Sequence, residues 1–142
     1  MKNDSVIKEK IIVRGDVGDV FDALTEQSGY NGWWSKDCEI AKRPGGESKL
    51  KFNKEGNIVS MRFRVDEIVP GRSVRWTCTG HDMPSWIGTT LRWDLASDDP
   101  RTEVSFEHGG WKGEAPDPVV QGWRHFLGSL RSFVETGKGD PW

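Results

Sequence analysis

The chain is 142 residues long, enough for one domain of common size, and a chain of this length buries roughly two-thirds of its unfolded surface without a disulfide or metal to hold it. Its net charge of −2 excludes the basic balance by which proteins hold a phosphate backbone, so no nucleic-acid partner is expected. Hydrophobic residues make up only 35%, yet eight Trp and six Phe, each able to bury about 150–250 Å², argue against a disordered chain.

Residues 5–14 (SVIKEKIIVR) are rich in β-branched side chains and alternate with charges, as a half-buried strand does. The lysines and arginine of this segment, Lys8, Lys10 and Arg14, read as a solvated strand face, as do Lys49, Lys51 and Lys54. Asp16 has the character of a helix N-cap, and Val17, Val20, Phe21 and Leu24 follow at helical spacing. Gly29 and Gly32 interrupt the pattern. Tyr30, Trp33 and Trp34 around them suggest a second short helix or turn packed on a sheet.

From residue 37 the period changes to two. Cys38 and Ile40 alternate with Glu39, the run Arg43-Pro44-Gly45-Gly46 turns the chain, and Leu50 and Phe52 alternate with lysines. Val59, Met61, Phe63 and Val65 then face one way, with Ser60, Arg62, Arg64 and Asp66 facing the other. After Pro70-Gly71 the inward set is Val74, Trp76 and Cys78. Leu91, Trp93 and Leu95 follow, and after Pro100 come Val104, Phe106 and His108. Strands joined by tight turns make an antiparallel meander, and the lack of interleaved long helices argues against a parallel sheet. Asp117-Pro118 reads as an N-cap followed by the first helical residue. Val119, Trp123, Phe126, Leu127, Leu130, Phe133 and Val134 recur at helical spacing until Gly137 and Gly139, with Arg124, Ser129, Arg131 and Glu135 on the opposite side.

No apolar stretch has the character of a signal peptide or a membrane span, so no membrane partner and a cytoplasmic location are expected. Cys38 and Cys78 lack metal spacing and any CxxC pattern, so both are expected as buried free thiols. The three histidines, His81, His108 and His125, have no ligand spacing, so no metal and no cofactor are expected. His81-Asp82 reads as a solvated loop, and Trp86 beside Met83-Pro84-Ser85 as a lid or interface residue.

The order strand, short helices, strands, long helix resembles the helix-grip fold of the START-like superfamily, also called SRPBCC and shared with the birch pollen allergen. Within it the chain resembles the family of homologues of the activator of the heat-shock-protein-90 ATPase. The residues that carry this are Val20-Phe21-Asp22-Ala23-Leu24 with Trp33-Trp34, Pro44-Gly45-Gly46, Ile68-Val69-Pro70-Gly71-Arg72 with Trp76, Glu107-His108-Gly109-Gly110-Trp111, Gly122-Trp123 and Glu135-Thr136-Gly137-Lys138-Gly139. The resemblance implies an α+β domain spanning residues 1–142. A curved antiparallel sheet of about six or seven strands would wrap a long C-terminal helix, with two short helices after the first strand. It also implies a cavity between helix and sheet that takes apolar or amphipathic small molecules, and the family name suggests a link to stress.

The chemistry legible in the residues is sparse. There is no GxSxG elbow, no acid–base couple and no phosphate-binding glycine loop opening a helix, so no catalytic residue is assigned. Three readings follow. The preferred one is a non-enzymatic binding domain for a small apolar or aromatic molecule. Its walls would be Phe52, Phe63, Trp76, Trp93, Phe106, Trp111, Trp123 and Leu127, with His108 orienting a polar group of the ligand. The second is a cyclase- or hydrolase-like enzyme in the same cavity with His108 as proton carrier, which requires a second polar group facing the imidazole. The third is an interaction or co-chaperone-like domain, or a homodimer, with contacts through Trp86, Trp142 and the outer face of the helix.

Overall fold

The period-two segments pair as their turns dictate. The computed structural model describes residues 6–142, apart from the side chain of Lys54. Its strands are β1 (Ile7–Arg14), β2 (Asp37–Glu39), β3 (Glu47–Lys54), β4 (Asn57–Val69), β5 (Ser73–His81), β6 (Thr90–Asp98) and β7 (Arg101–Gly109). They form one seven-stranded antiparallel sheet in the order β1-β7-β6-β5-β4-β3-β2. From β2 onward each strand pairs with its chain neighbour. Only β1 reaches across the sequence, closing on β7, so Lys8 and Lys10 lie far from the lysines of β3 and Lys10 pairs instead with Glu103. The expected first strand residue, Ser5, and the lead-in before it lie outside the described residues.

Helices α1 (Val17–Ala23) and α2 (Gln27–Trp33) fill the crossing between β1 and β2. Asp16 caps α1 as its sequence position predicts, accepting a hydrogen bond from the Asp19 amide at 2.8 Å. The two helices meet so closely that a β-carbon at Gly29 would stand 2.7 Å from the Ala23 backbone, which only glycine avoids. This contact buries polar backbone, and aromatic side chains satisfy it. The Trp33 indole N–H donates to the Ala23 carbonyl at 2.8 Å, and the Tyr30 hydroxyl donates to the Leu24 carbonyl at 2.6 Å.

Helix α3 (Asp117–Thr136) lies across the inner face of the sheet. Its boundary falls one residue earlier than expected, because Pro116 occupies the cap position and Asp117 is already helical. Gly137 ends it in the left-handed region at φ 84°. Trp123, Phe126, Leu127 and Leu130 are buried in one core with Phe63, Trp76, Trp93 and Phe106, and each such side chain stabilises the fold by roughly 1.5–3 kcal/mol. The rings of Trp123 and Phe106 meet at 4.3 Å. Ser129, expected on the outer face, is buried. Its hydroxyl donates to the Trp33 carbonyl at 2.7 Å and accepts from the Asp140 amide, pinning α2 and the segment after α3 to the helix.

Two register shifts interrupt the β4–β5 ladder. One leaves Thr79 unpaired between Cys78↔Phe63 and Gly80↔Arg62. The other leaves Asp66 unpaired between Val65↔Trp76 and Glu67↔Arg75. Extra residues of this kind bend a strand and re-aim the side chains beyond them. Asp66 accepts hydrogen bonds from Thr77 Oγ1 and, at 2.8 Å, from Arg64 Nε.

Candidate functional site

The shift at Thr79 builds one wall of an apolar groove between the β3–β4 hairpin and α3. Trp76 and Cys78 point inward and Gly80 would follow by strict alternation. The extra residue inverts the pattern beyond it: Gly80 faces outward under the Arg62 guanidinium, and His81 stands opposite the inward-facing Met61. His81 is therefore no solvated loop residue. It ends β5 and opens onto a groove of about 360 Å³.

Three parts of the chain enclose this groove. The β3–β4 hairpin supplies Phe52, Val59 and Met61, with Glu55 and Asn57 near its turn. The first turns of α3 supply Pro118, Val119, Gly122, Trp123 and Phe126. His81, Met83 and Trp86 make the third side, and Trp34 and Trp142 complete it. Trp142 is held by an amide hydrogen bond to the Trp34 carbonyl at 3.1 Å, and its carbonyl accepts from Lys36 at 3.0 Å. Its ring stacks on His125 at 4.9 Å and meets Phe126 edge-on at 4.7 Å. Trp142 thus forms part of the groove rather than a free contact surface.

Trp86, read from sequence as a lid or interface residue, is only 7% exposed. It sits in a short 3-10 turn over Pro84–Trp86 and stacks on His81 with ring centroids 4.3 Å apart and planes 16° apart. Its neighbours Met83 and Ile87 are exposed.

Behind Trp86, at 4.7 Å, lies His108, wholly buried on the inner face of β7. Its hydrogen bonds fix its tautomer. The Trp123 indole can only donate, so Nδ1, 2.9 Å away, must accept. The Thr89 hydroxyl donates to the Trp86 carbonyl at 2.6 Å, so it accepts from Nε2–H at 2.9 Å. Burial, and to a lesser degree the neighbouring His81, lower the pKa to about 3, and the ring stays neutral. His108 ties the groove-lining Trp123 to the turn that carries Trp86, and neither ring nitrogen is left to act on a ligand.

His81 differs. Its Nδ1 accepts from the Met83 amide at 2.8 Å, so the neutral ring carries its proton on Nε2, which has no partner. Burial lowers this pKa to about 4, against a weaker opposing effect of Asp82. Among the described residues the buried side-chain nitrogens without a partner are His81 Nε2 and the indole N–H groups of Trp86, Trp93 and Trp111. A buried polar group left unpaired costs about 1–3 kcal/mol.

Of the residues expected as cavity walls, Phe52 and Trp123 line the groove. Phe63, Trp76, Trp93, Phe106 and Leu127 lie beneath it in the core, and Trp111 packs behind Trp86 at 5.7 Å. Sequence alternation gives the face a residue occupies but not its depth, so it missed Met61, Val59, Val119 and Phe126 as lining residues, although their inward faces were legible. His81 had no signal at all, because the extra residue that turns it inward leaves no mark on the pattern. Among the described residues no group of three or more His, Cys, Asp or Glu side chains could hold a metal, and no helix is long and apolar enough to cross a membrane.

Residues 16–135 match the family model described as Activator of Hsp90 ATPase homolog 1-like protein. A similar solved structure is the Aha1 dimer from Colwellia psychrerythraea, 30% identical, with a TM-score of 0.78 over 94% of this chain and 98% of that one. A protein from Chromobacterium violaceum is 23% identical, with a TM-score of 0.80 over 92% of this chain and 97% of that one. DynU16, a protein in the dynemicin biosynthetic locus, is 20% identical, with a TM-score of 0.77 over 96% of this chain and 49% of that one. The last two likenesses concern the fold. No curated protein matches the chain.

Proposed function

The chain belongs to the Activator of Hsp90 ATPase homolog 1-like family, and from that premise we propose that its groove binds a small apolar or aromatic molecule without transforming it. The observation that supports this most is the groove itself: about 360 Å³, walled by Trp34, Phe52, Met61, Trp123 and Phe126, within the size range of small-molecule sites. In this reading Phe52 and Trp123 contact the ligand. Phe63, Trp76, Trp93, Phe106, Trp111 and Leu127 back the wall and hold its rings in place. His108 positions Trp123 instead of touching the ligand, and the orienting role passes to His81.

The acid–base alternative fares worse. His108 does have polar neighbours, Thr89 and Trp123, but both of its nitrogens are engaged and the ring is enclosed. A proton carrier needs a free nitrogen within reach of a substrate. We place the protein in the cytoplasm, a reading supported by two buried free thiols and the absence of helical spans among the described residues. We also propose a homodimer, because a 30%-identical relative is an Aha1 dimer.

Native mass spectrometry of protein purified from its own cells, compared with the denatured mass, tests the binding role. A small molecule released on denaturation is the expected result. An unliganded mass, together with no change of tryptophan emission on titration with naphthalene-sized probes, would overturn it. Light scattering on the same sample tests the dimer, and a monomeric mass refutes that part alone.

A further inference from the structure

The groove's inner polar groups share one sign. Met83 N–H occupies His81 Nδ1, which leaves His81 with a proton on Nε2. The indole of Trp86 offers an N–H and nothing else. Both residues line the groove, both nitrogens are buried, and neither has a partner. The other indole at the groove with an assigned hydrogen bond, that of Trp123, is committed to His108. The remaining polar lining residues, Glu55 and Asn57, belong to the exposed turn of the β3–β4 hairpin and are solvated there. Two hydrogen-bond donors without an acceptor therefore lie buried in residues that line the groove.

We infer that the ligand carries an acceptor oxygen — a carbonyl, carboxylate or ether — on its apolar or aromatic body, and that His81 Nε2–H and Trp86 Nε1–H receive it. The inference rests on the proposed binding role and adds the chemistry of the ligand's polar end. A ligand whose only polar group is a donor, such as a primary ammonium, finds no partner on this wall.

Access to the donors runs through the turn that carries Trp86. It is short and spans only residues 83–89. Three local backbone hydrogen bonds close it, from Trp86 to Met83, Ile87 to Pro84 and Thr89 to Trp86, at 3.1, 3.0 and 2.9 Å. Met83 and Ile87 on either side are 47% and 52% exposed, so this side of the groove is less packed than the α3 side. The end of the turn is held to β5 by the Gly88 and Cys78 amides, at 2.9 and 2.8 Å, so only the Met83–Ile87 part has to yield for an acceptor to reach both N–H groups. Trp93 and Trp111 also carry unpaired N–H groups, but neither lines the groove, and they are not part of the receiving pair.

Two probes of nearly equal shape separate the claims: 2-acetylnaphthalene, with a carbonyl oxygen, and 2-isopropenylnaphthalene, with a methylene in its place. Titrated into the full chain and followed by tryptophan fluorescence, the ketone is expected to bind about tenfold more tightly than the alkene. The Trp86→Phe protein retains the stacked ring and loses the N–H, and His81→Phe retains a ring and loses the Nε2 proton. Each is expected to reduce the preference. In protein labelled with nitrogen-15, the ketone and not the alkene should move the His81 Nε2–H proton resonance downfield. Equal binding of the two probes overturns the acceptor inference and leaves the apolar groove standing. Failure of both to bind overturns the binding role along with it. A preference undiminished in both variants overturns the assignment to His81 and Trp86.

Discussion

Acidification tests the hydrogen-bond chain through His108, because protonating its Nδ1 would oppose the donating Trp123 indole inside the core. The pKa lies near 6.5 in the unfolded chain and falls to about 3 in the fold. Above pH 6.5 the ring is neutral in both states and adds no pH dependence. Below it the unfolded chain takes up a proton that the folded chain refuses. Stability therefore falls as pH drops, by about 1.4 kcal/mol per pH unit, until the folded pKa is passed. Between pH 6.5 and 4.5 the loss from this one residue is about 2–3 kcal/mol. His81, depressed to about 4, acts in the same direction over a narrower span. Carboxylates also contribute to acid sensitivity, so the assay is differential: urea unfolding of wild type and His108→Gln at several pH values. The variant should be weaker at pH 7 by about 2–4 kcal/mol, because the Trp123 N–H loses its acceptor, and its acid slope should be shallower in the window from 6.5 downward. Should His108→Gln fail to fold, the imidazole resonances of the wild type report the pKa directly. A His108 that titrates near 6.5, or equal acid slopes for the two proteins, would refute the reasoning.

Substitutions at glycine separate close approach from free space. Gly139→Ala places a β-carbon onto the Gly32 carbonyl and 2.8 Å from Ser129 Oγ, so thermal unfolding should show a loss of about 1–3 kcal/mol and loosened packing of Trp142 on His125. Gly128→Ala on α3 meets nothing within 4 Å and should gain about 0.5–1 kcal/mol in the same measurement. Burial raises both thiols, Cys38 and Cys78, to about 11, so iodoacetamide at pH 7.5 should leave them unmodified in the folded protein and label both in urea.

The parts of the fold legible in the sequence are those in which local pattern and tertiary environment agree. Val59 to Val65 alternate because β4 has one covered face, and Asp16 and Gly137 punctuate helices by chemistry that belongs to single residues. The order of strands β2 to β7 followed from their turns, whereas the closing of β1 on β7 is a long-range pairing that no turn encodes. The aromatic character of the candidate groove was legible, and the position of its lining along the strands was not. Phe63 and Phe52 carry the same inward signal, yet Phe52 pairs with Val59 near the turn of the hairpin and meets Phe126 of α3 at the groove, while Phe63 lies further from the turn, enclosed by Trp34, Trp76 and Trp86. Position along a strand relative to a helix that crosses it is a tertiary quantity, and no period encodes it. The error at Ser129 has a related origin: a serine at an outward helical position was buried because α2 and the segment after Gly137 both close on that side.

The two histidines show how small a structural difference separates a scaffold group from a candidate ligand group. Both are neutral, both have depressed pKa values, and both accept an N–H at Nδ1. His108 lies on the regular alternation of β7, which points it into the core, where Thr89 takes its remaining proton. His81 lies beyond an unpaired Thr79, which turns it to the groove side and leaves its remaining proton without an acceptor. The sequence drew attention to His108 because its strand is regular, and regularity placed it where its hydrogen bonds could be completed within the fold. A group left incomplete is the better candidate for recognition, since only an incoming molecule can satisfy it. The irregular register of β5 is therefore the feature on which the proposed binding chemistry of this groove turns.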